Sequence, residues 1–164
     1  MRHWELAASA LVASLMGLPL PATEINPAPL EQHLAVARAR QALRQQLEWT
    51  LEQQIRITEI PAPPFEETAR ARYLEEQFRQ LGLSNVRHDN VGNVLGEYPG
   101  RDSDTWVLVS AHLDTVFPSG TPIRVVRDGK RLVGPGISDN GNGLATLLAL
   151  IRALHTGRVA TTAS

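Results

Sequence analysis

Apolar residues recur at every fourth position in a stretch without Gly or Pro that runs from residue 30 to residue 57. The repeating positions are Leu43, Leu47, Leu51 and Ile55. This spacing places them on one face of a helix, and the intervening Ala, Gln, Glu and Arg are good helix formers. We therefore predict a long N-terminal helix that packs this stripe against a domain. A break inside the helix stays open, and a partner-binding stripe is the alternative.

The next stretch predicts a second helix followed by a hairpin. The prolines within residues 61–64 impose an extended connection. Apolar residues then share one face of a helix from about residue 66 to residue 81, and Gly82 stands where a left-handed C-terminal cap belongs. Residues 85–90 and 93–98 predict two short strands on either side of a turn.

The last third of the chain alternates predicted strands and a helix. Residues 106–109 (WVLV) form a continuous apolar run, which is typical of a strand covered on both faces. Residues 123–126 and 131–133 predict a hairpin with Asp128-Gly129 at its turn. Residues 144–154 predict an apolar helix that ends near Gly157. This order predicts an α/β fold, in which a mixed sheet is flanked by helices and preceded by the long N-terminal helix.

The first 22 residues have the pattern of an export signal. Arg2 and His3 precede an apolar run over residues 6–20, and that run is shorter than the roughly 20 apolar residues of a membrane span. We predict a signal peptide over 1–22, a spacer over 23–29, the helical segment over 30–57 and one globular portion over 58–164. The mature protein would then be periplasmic or extracellular, without a stable membrane span. A hydrophobic N-terminal helix or a misplaced start is the alternative.

Composition narrows the classes of function. The chain has 164 residues, 43% of them hydrophobic, which suits one domain with a core. Its net charge is −1 and it has no basic block, so we predict no nucleic-acid partner. The basic residues between 38 and 79 alternate with acidic ones and predict a solvated helical surface. Because Cys is absent, any bound metal must have His, Asp or Glu ligands.

Candidate chemistry begins with His112 and Asp114 at the end of the predicted buried strand. Sites in open α/β sheets lie beyond the carboxyl ends of strands, and residues two apart in an extended segment point the same way. A carboxylate often holds the second ring nitrogen of a metal-binding His. Taken alone, a His-x-Asp triplet is a weak signal, and chance or a loop hydrogen bond explains it more readily.

A second candidate, Asp139, lies in a Gly-rich loop just before the last predicted helix. Gly136 and Gly141 on either side permit tight backbone paths. Asp139 has two alternative roles, as a helix N-cap or as a carboxylate that bridges two divalent cations about 3.5–4 Å apart. The glycine spacing fits neither a phosphate loop nor a dinucleotide fingerprint.

Together the two motifs carry a family resemblance. Residues 107–117 (VLVSAHLDTVF) and 134–144 (GPGISDNGNGL), with a hairpin between them, resemble the co-catalytic zinc exopeptidase and amidohydrolase family of peptidase T, carboxypeptidase G and succinyl-diaminopimelate desuccinylase. Residues 60–65 (IPAPPF) also match a segment of that family, and the resemblance extends over about residues 57–154. Leucine-type zinc aminopeptidases, which usually have a shorter gap between the motifs, are an alternative.

The resemblance implies a role for each candidate. His112 would be a ligand of one zinc ion, Asp139 would bridge both ions, and Asp114 would be the catalytic-site acid that orients His112. Asn140 follows at a junction where the family often has a cis peptide. The implied cofactor is Zn²⁺, two ions in the complete site, with Co²⁺ or Mn²⁺ as alternatives. The implied substrate is a peptide or an acylated amino acid, cleaved at its amide bond.

The family pattern also places a Glu-Glu pair, another acidic ligand and a distant His after the second motif, and residues up to 164 contain none of them. We therefore expect an N-terminal portion of a catalytic domain that is inactive alone. A non-catalytic binding or structural remnant of the same fold is the alternative. The remaining histidines are expected to be surface or packing residues: His3, His33, His88 and His155.

Overall fold

The computed structural model describes residues 28–102 and 104–163. The predicted signal peptide over 1–22 and most of the spacer lie outside these residues. The helical stretch that follows contains three helices, α1 (Ala28–Glu31), α2 (Leu34–Gln45) and α3 (Leu47–Glu59). His33 begins α2 as its N-cap, because its ring nitrogen accepts a hydrogen bond from the amide of Ala35 at 3.3 Å.

The predicted long helix over residues 30–57 is not confirmed as one element, since the chain breaks between α2 and α3 at Gln46, an interruption that the sequence left open. This residue has φ −96° and ψ 11°, and its side chain turns inward, where Nε2 donates to the carbonyl oxygen of Ala149 at 2.8 Å. Gln46 is buried. A buried amide needs a partner, and Ala149 of the last helix provides it.

The predicted packing stripe is wrong only in its first half, since Leu51 and Ile55 are half-buried. Leu43 and Leu47 are exposed, whereas Ala39 and Ala42 on another face of α2 are buried. The reason is the close approach of the last helix: a side-chain carbon at Gly157 would lie 2.6 Å from the carbonyl oxygen of Ala35. Only small residues fit between helices at this distance, so the face of α2 that packs against the last helix carries Ala and not Leu.

Helix α4 (Thr68–Gln80) and the hairpin of β1 (Ser84–His88) and β2 (Val94–Glu97) confirm the second part of the prediction. The two strands are antiparallel. Gly82 has φ +82° and ends α4 in the left-handed region, while the amide of Leu83 donates to the carbonyl oxygen of Phe78 at 3.1 Å. This is the predicted C-terminal cap.

A second antiparallel hairpin joins β3 (Val126–Asp128) and β4 (Arg131–Val133). The first strand lies about three residues later than predicted, and Gly129, with φ +58°, and Lys130 form the turn. The described residues thus contain two separate two-stranded antiparallel sheets. The α/β class holds in its coarse form as a mixture of helices and small sheets, but these sheets are not the predicted mixed sheet.

Residues 106–109 form no strand, which corrects the prediction of a buried one. Leu108 is 85% exposed and Val107 is 67% exposed. An apolar run favours burial, but a central strand also needs neighbouring strands for its backbone groups, and none of the described strands pairs with this segment.

The core lies between α3, α4 and the last helix, α5 (Gly143–Gly157), which matches the predicted apolar helix. Its buried residues are Ile57, Leu74, Phe78, Leu144, Ala145, Leu148 and Ile151. None of the helices in the described part has both the length and the apolar character to cross a membrane. The helical core forms the base on which both motifs rest.

Candidate metal centre

The segment that carries His112 has irregular backbone, and two hydrogen bonds fix its position. The amide of Thr115 donates to the carbonyl oxygen of Ala62 at 2.8 Å. Arg70 of α4 donates from Nη1 to the carbonyl oxygen of Leu113 at 2.7 Å. The predicted extended connection and α4 together therefore fix the backbone on both sides of Asp114.

Asp139 lies in an irregular turn of π-helical type, Ile137–Asn142, which we call the aspartate loop. Gly136 enters it with φ +75°, and Gln54 of α3 donates from Nε2 to the carbonyl oxygen of Ile137 at 2.8 Å. The Asp139–Asn140 peptide bond is cis, as the resemblance implies. Helix α5 begins only at Gly143, with Asn142 at its N-cap. Asp139 is therefore not the N-cap of α5, and that alternative is wrong.

The two motifs meet through the imidazole of His112. Its Nε2 lies 2.8 Å from Oδ1 of Asp139, although the residues are 27 positions apart in the chain. Its Nδ1 lies 3.0 Å from Oδ1 of Asp114 and 3.1 Å from the carbonyl oxygen of the same residue. The side chains are 50% exposed for His112, 44% for Asp114 and 82% for Asp139, so the cluster is open to solvent.

Two carboxylates around one imidazole favour its protonated form. Partial burial lowers the pKa of His112, but the hydrogen bonds and charges of Asp139 and Asp114 raise it by more, so the net pKa lies above its usual value. A neutral imidazole has one N–H donor, whereas the protonated ring donates to both carboxylates at once. When His112 is protonated, the three side chains therefore form an ion-paired triad.

His112 and Asp139 have the atoms and the separation for two ligands of one cation. Zinc binds His nitrogen and carboxylate oxygen at about 2.0–2.2 Å, so atoms 2.8 Å apart can reach a common ion. A tetrahedral angle needs about 3.3 Å between the two ligand atoms, so the pair would open by about 0.5 Å and Nε2 would lose its proton. Within the described residues, no group of three or more His, Cys, Asp or Glu side chains could hold a metal ion. The residues present thus fit part of a zinc site.

The other predicted histidines have structural contacts. His33 is the N-cap already described, His88 lies 3.0 Å from Oε2 of Glu75, and His155 packs edge-on against Tyr98 with ring centroids 4.9 Å apart. His3 lies outside the described residues. Oε1 of Glu67 accepts a hydrogen bond from the amide of Phe65 at 2.7 Å. Among the described residues, the side chains of His33, His88, His155 and Glu67 make no hydrogen bond to His112 or Asp139.

Two residues that support the centre were missed at the level of sequence, Arg70 and Gln54. Arg70 was assigned to the solvated helical surface, but it is 1% exposed. A signal was available, because Arg70 stands four positions before Leu74 and eight before Phe78 and so shares their buried face. No comparable signal marks Gln54, since its partner is a backbone carbonyl of a remote loop.

Two comparisons with known proteins cover this region. Residues 93–163 match the sequence profile described as Peptidase family M28, a range that includes all three candidate residues. The chain is also 33% identical over 95 residues to Carboxypeptidase G2 from Pseudomonas sp. (strain RS-16), an alignment that covers 52% of this chain and 22% of that protein. The chain thus spans about a fifth of the relative. Over the part that these matches cover, the chain is similar to a peptidase profile and to a carboxypeptidase, which agrees with the resemblance that the two motifs carry.

Proposed function

We propose that this chain contributes part of the active site of a metal-dependent hydrolase of the exopeptidase type, which cleaves amide bonds in peptides or N-acyl amino acids. One observation carries the proposal: His112 Nε2 and Asp139 Oδ1 lie 2.8 Å apart, with Asp114 behind the other ring nitrogen. The similarity to Peptidase family M28 and to Carboxypeptidase G2 supports the reaction class.

Each side chain has a distinct task in this proposal. With a cation bound, Asp114 would accept a hydrogen bond from Nδ1–H of His112 and would hold the ring in the tautomer with a free lone pair on Nε2. Asp139 would hold the cation together with that nitrogen, and its side chain, which is 82% exposed, would have room for a second cation. When bound, zinc would supply a Lewis acid for the scissile carbonyl and lower the pKa of water.

The general base and the remaining ligands would come from residues after 164, and the chain alone is proposed to be inactive. Structural zinc has four ligands and catalytic zinc usually has three protein ligands, whereas His112 and Asp139 supply two. A non-catalytic remnant of the same fold is the competing proposal. Sequencing the gene beyond codon 164 separates the two: an open frame with a Glu-Glu pair supports the hydrolase, and an immediate stop codon supports the remnant.

Zinc titration of the chain by calorimetry tests the metal site. We expect weak binding by the wild type, a loss of at least tenfold in affinity for His112→Ala and Asp139→Asn, and a smaller loss for Asp114→Asn. His88→Ala is the matched control, because His88 also pairs with a carboxylate but lies outside the centre. If the wild type and His112→Ala give the same heat, or if His88→Ala has the larger effect, the metal proposal fails.

Export is a separate proposal that depends on residues 1–22 alone. Expression with the native N-terminus in a bacterial host, followed by N-terminal sequencing of the periplasmic or secreted product, checks it. We expect a mature chain that begins near Thr23. A full-length product retained in the cytoplasm would exclude the signal-peptide assignment.

A further inference from the structure

Arg70 is a buried cation whose hydrogen bonds all go to backbone carbonyls. It is 1% exposed. Its Nη2 donates to Ile60 at 2.6 Å and to Thr58 at 3.3 Å, its Nε donates to Ile60 at 3.1 Å, and its Nη1 donates to Leu113 at 2.7 Å. A buried guanidinium is costly unless its donors are satisfied, so this arrangement needs all three carbonyls in place.

The three carbonyls belong to two different parts of the fold. Thr58 and Ile60 form the C-terminal end of α3, where unpaired carbonyls carry partial negative charge and favour a cation. Leu113 stands between His112 and Asp114. Burial lowers the pKa of Arg70, and the nearby charge of Asp114 raises it, so the charge of the acid that orients His112 also acts on this cation. Arg70 thus ties the His112 segment to the end of α3.

Helix α3 also holds the aspartate loop. Gln54 donates to the carbonyl oxygen of Ile137 at 2.8 Å, and Thr58 packs directly against Gly141. Both halves of the candidate centre therefore take their position from the last two turns of one helix. The aspartate loop contacts α3 directly, whereas the His112 segment reaches it through Arg70.

We propose that Arg70 is a positioning residue for the candidate metal centre, because its guanidinium sets the separation between His112 and Asp139 by joining Leu113 to the end of α3. The relevance to metal binding rests on the proposed function, while the positioning itself is a property of the metal-free chain. A flexible single ammonium cannot reproduce the fork that reaches Ile60 and Leu113 together.

The test compares Arg70→Met, Arg70→Lys and two controls in the whole chain. Arg72→Met removes an exposed Arg from the same helix, and Ile151→Ala destabilises the core on the far helix. The first measurement is the ¹⁵N–¹H spectrum of the His112 ring without metal, which reports whether both ring nitrogens keep their hydrogen bonds. The second is Zn²⁺ affinity by calorimetry.

We expect Arg70→Met to shift the His112 ring signals to those of a free imidazole and to weaken Zn²⁺ binding by about 10- to 100-fold. Arg70→Lys should restore part of both, and Arg72→Met should match the wild type. Ile151→Ala should lower stability and leave the ring signals unchanged, which distinguishes positioning from a general structural role.

An Arg70→Met chain with wild-type ring signals would overturn the inference, and so would an Ile151→Ala chain with the same ring shifts. If Arg70→Met does not fold, Arg70→Lys decides, and wild-type ring signals in that variant would overturn the inference as well. If the wild type binds no Zn²⁺, the proposed function fails, while the metal-free spectra still decide the positioning of His112.

Discussion

Gly141→Ala tests how closely the aspartate loop must approach α3. A Cβ at this position would lie 2.1 Å from Oγ1 of Thr58, more than 1 Å inside normal contact. Thr58 cannot move away freely, because it is 1% exposed and its hydroxyl donates to the carbonyl oxygen of Gln54 at 2.7 Å. Either the loop or the end of α3 must shift, and each of them supports the candidate metal centre.

The expected cost follows from this overlap. Overpacking of a buried contact costs about 1–3 kcal/mol, and Ala recovers up to about 1 kcal/mol by reducing the entropy of the unfolded chain. Gly141 does not have a positive φ, so the loss of stability in Gly141→Ala comes from the steric overlap and not from backbone strain. We expect Gly141→Ala to lower the free energy of unfolding by about 1–2 kcal/mol. Zn²⁺ affinity should fall as well, because Asp139 moves with the loop.

A double-mutant cycle with Thr58→Ala is the assay. Thr58→Ala removes the clashing oxygen, and the contacts that remain, 3.2 Å to the Gly136 carbonyl oxygen and 3.4 Å to Cβ of residue 58, need only small adjustments. Urea denaturation should show that the double variant recovers most of the Gly141→Ala loss, with a coupling energy of at least about 1 kcal/mol.

Two results would refute this reasoning. One is a Gly141→Ala chain as stable as the wild type, which would mean that the loop has room beside α3. The other is additivity of Gly141→Ala and Thr58→Ala within about 0.5 kcal/mol, which would mean that the two side chains do not compete for the same space.

Three further predictions address the ion-paired triad, the core and the exposed apolar segment. Because folding raises the pKa of His112, its contribution to stability is present below about pH 6.5 and is lost as pH rises through the raised pKa. Urea denaturation of the metal-free chain should therefore show a loss of stability with rising pH that His112→Asn reduces, and equal slopes would contradict this. Leu148→Ala should lower the free energy of unfolding by about 2–5 kcal/mol, since Leu148 is 0% exposed. Leu30→Ala, at a 63% exposed site, should change it by less than about 0.5 kcal/mol. Similar losses of stability in the two variants would contradict the assignment of Leu148 to the core. Leu108→Lys should reduce self-association in sedimentation velocity, because Leu108 is 85% exposed in an uncharged apolar segment, and unchanged association would assign the contact to another surface.

Local sequence patterns predicted several helices and strands to within a few residues of their observed ends. Helix α4 ends at Gly82 because glycine accepts a positive φ at low cost. The apolar residues of α4 recur with the period of a helix, which the sequence shows directly. Helix α5 and the first hairpin follow from the same kind of signal. Each depends on interactions between residues a few positions apart, so each is readable without knowledge of the fold.

Other features were not predicted from the sequence because they depend on contacts between residues far apart in the chain. At the bend, the Gln46 side chain donates a hydrogen bond to a backbone carbonyl of α5. The buried face of α2 is the face that α5 contacts. Residues 106–109 have the composition of a buried strand, but composition states a preference for burial and says nothing about whether a neighbouring strand is present. Arg70 shares the helix face of Leu74 and Phe78, but the three carbonyls that bind its guanidinium are remote and do not show in its local sequence.

The sequence by itself determined the chemistry available to this protein: the His-x-Asp triplet, the Asp in its Gly-rich loop, the lack of thiolate ligands and the helices that carry the core. Only the tertiary structure decided that His112 meets Asp139 and that Arg70 and α3 contact the two segments that carry them. The physical reason is the range of the forces involved. Backbone preferences and side-chain periodicity act over a few residues, whereas the meeting of groups 27 positions apart depends on how whole helices pack.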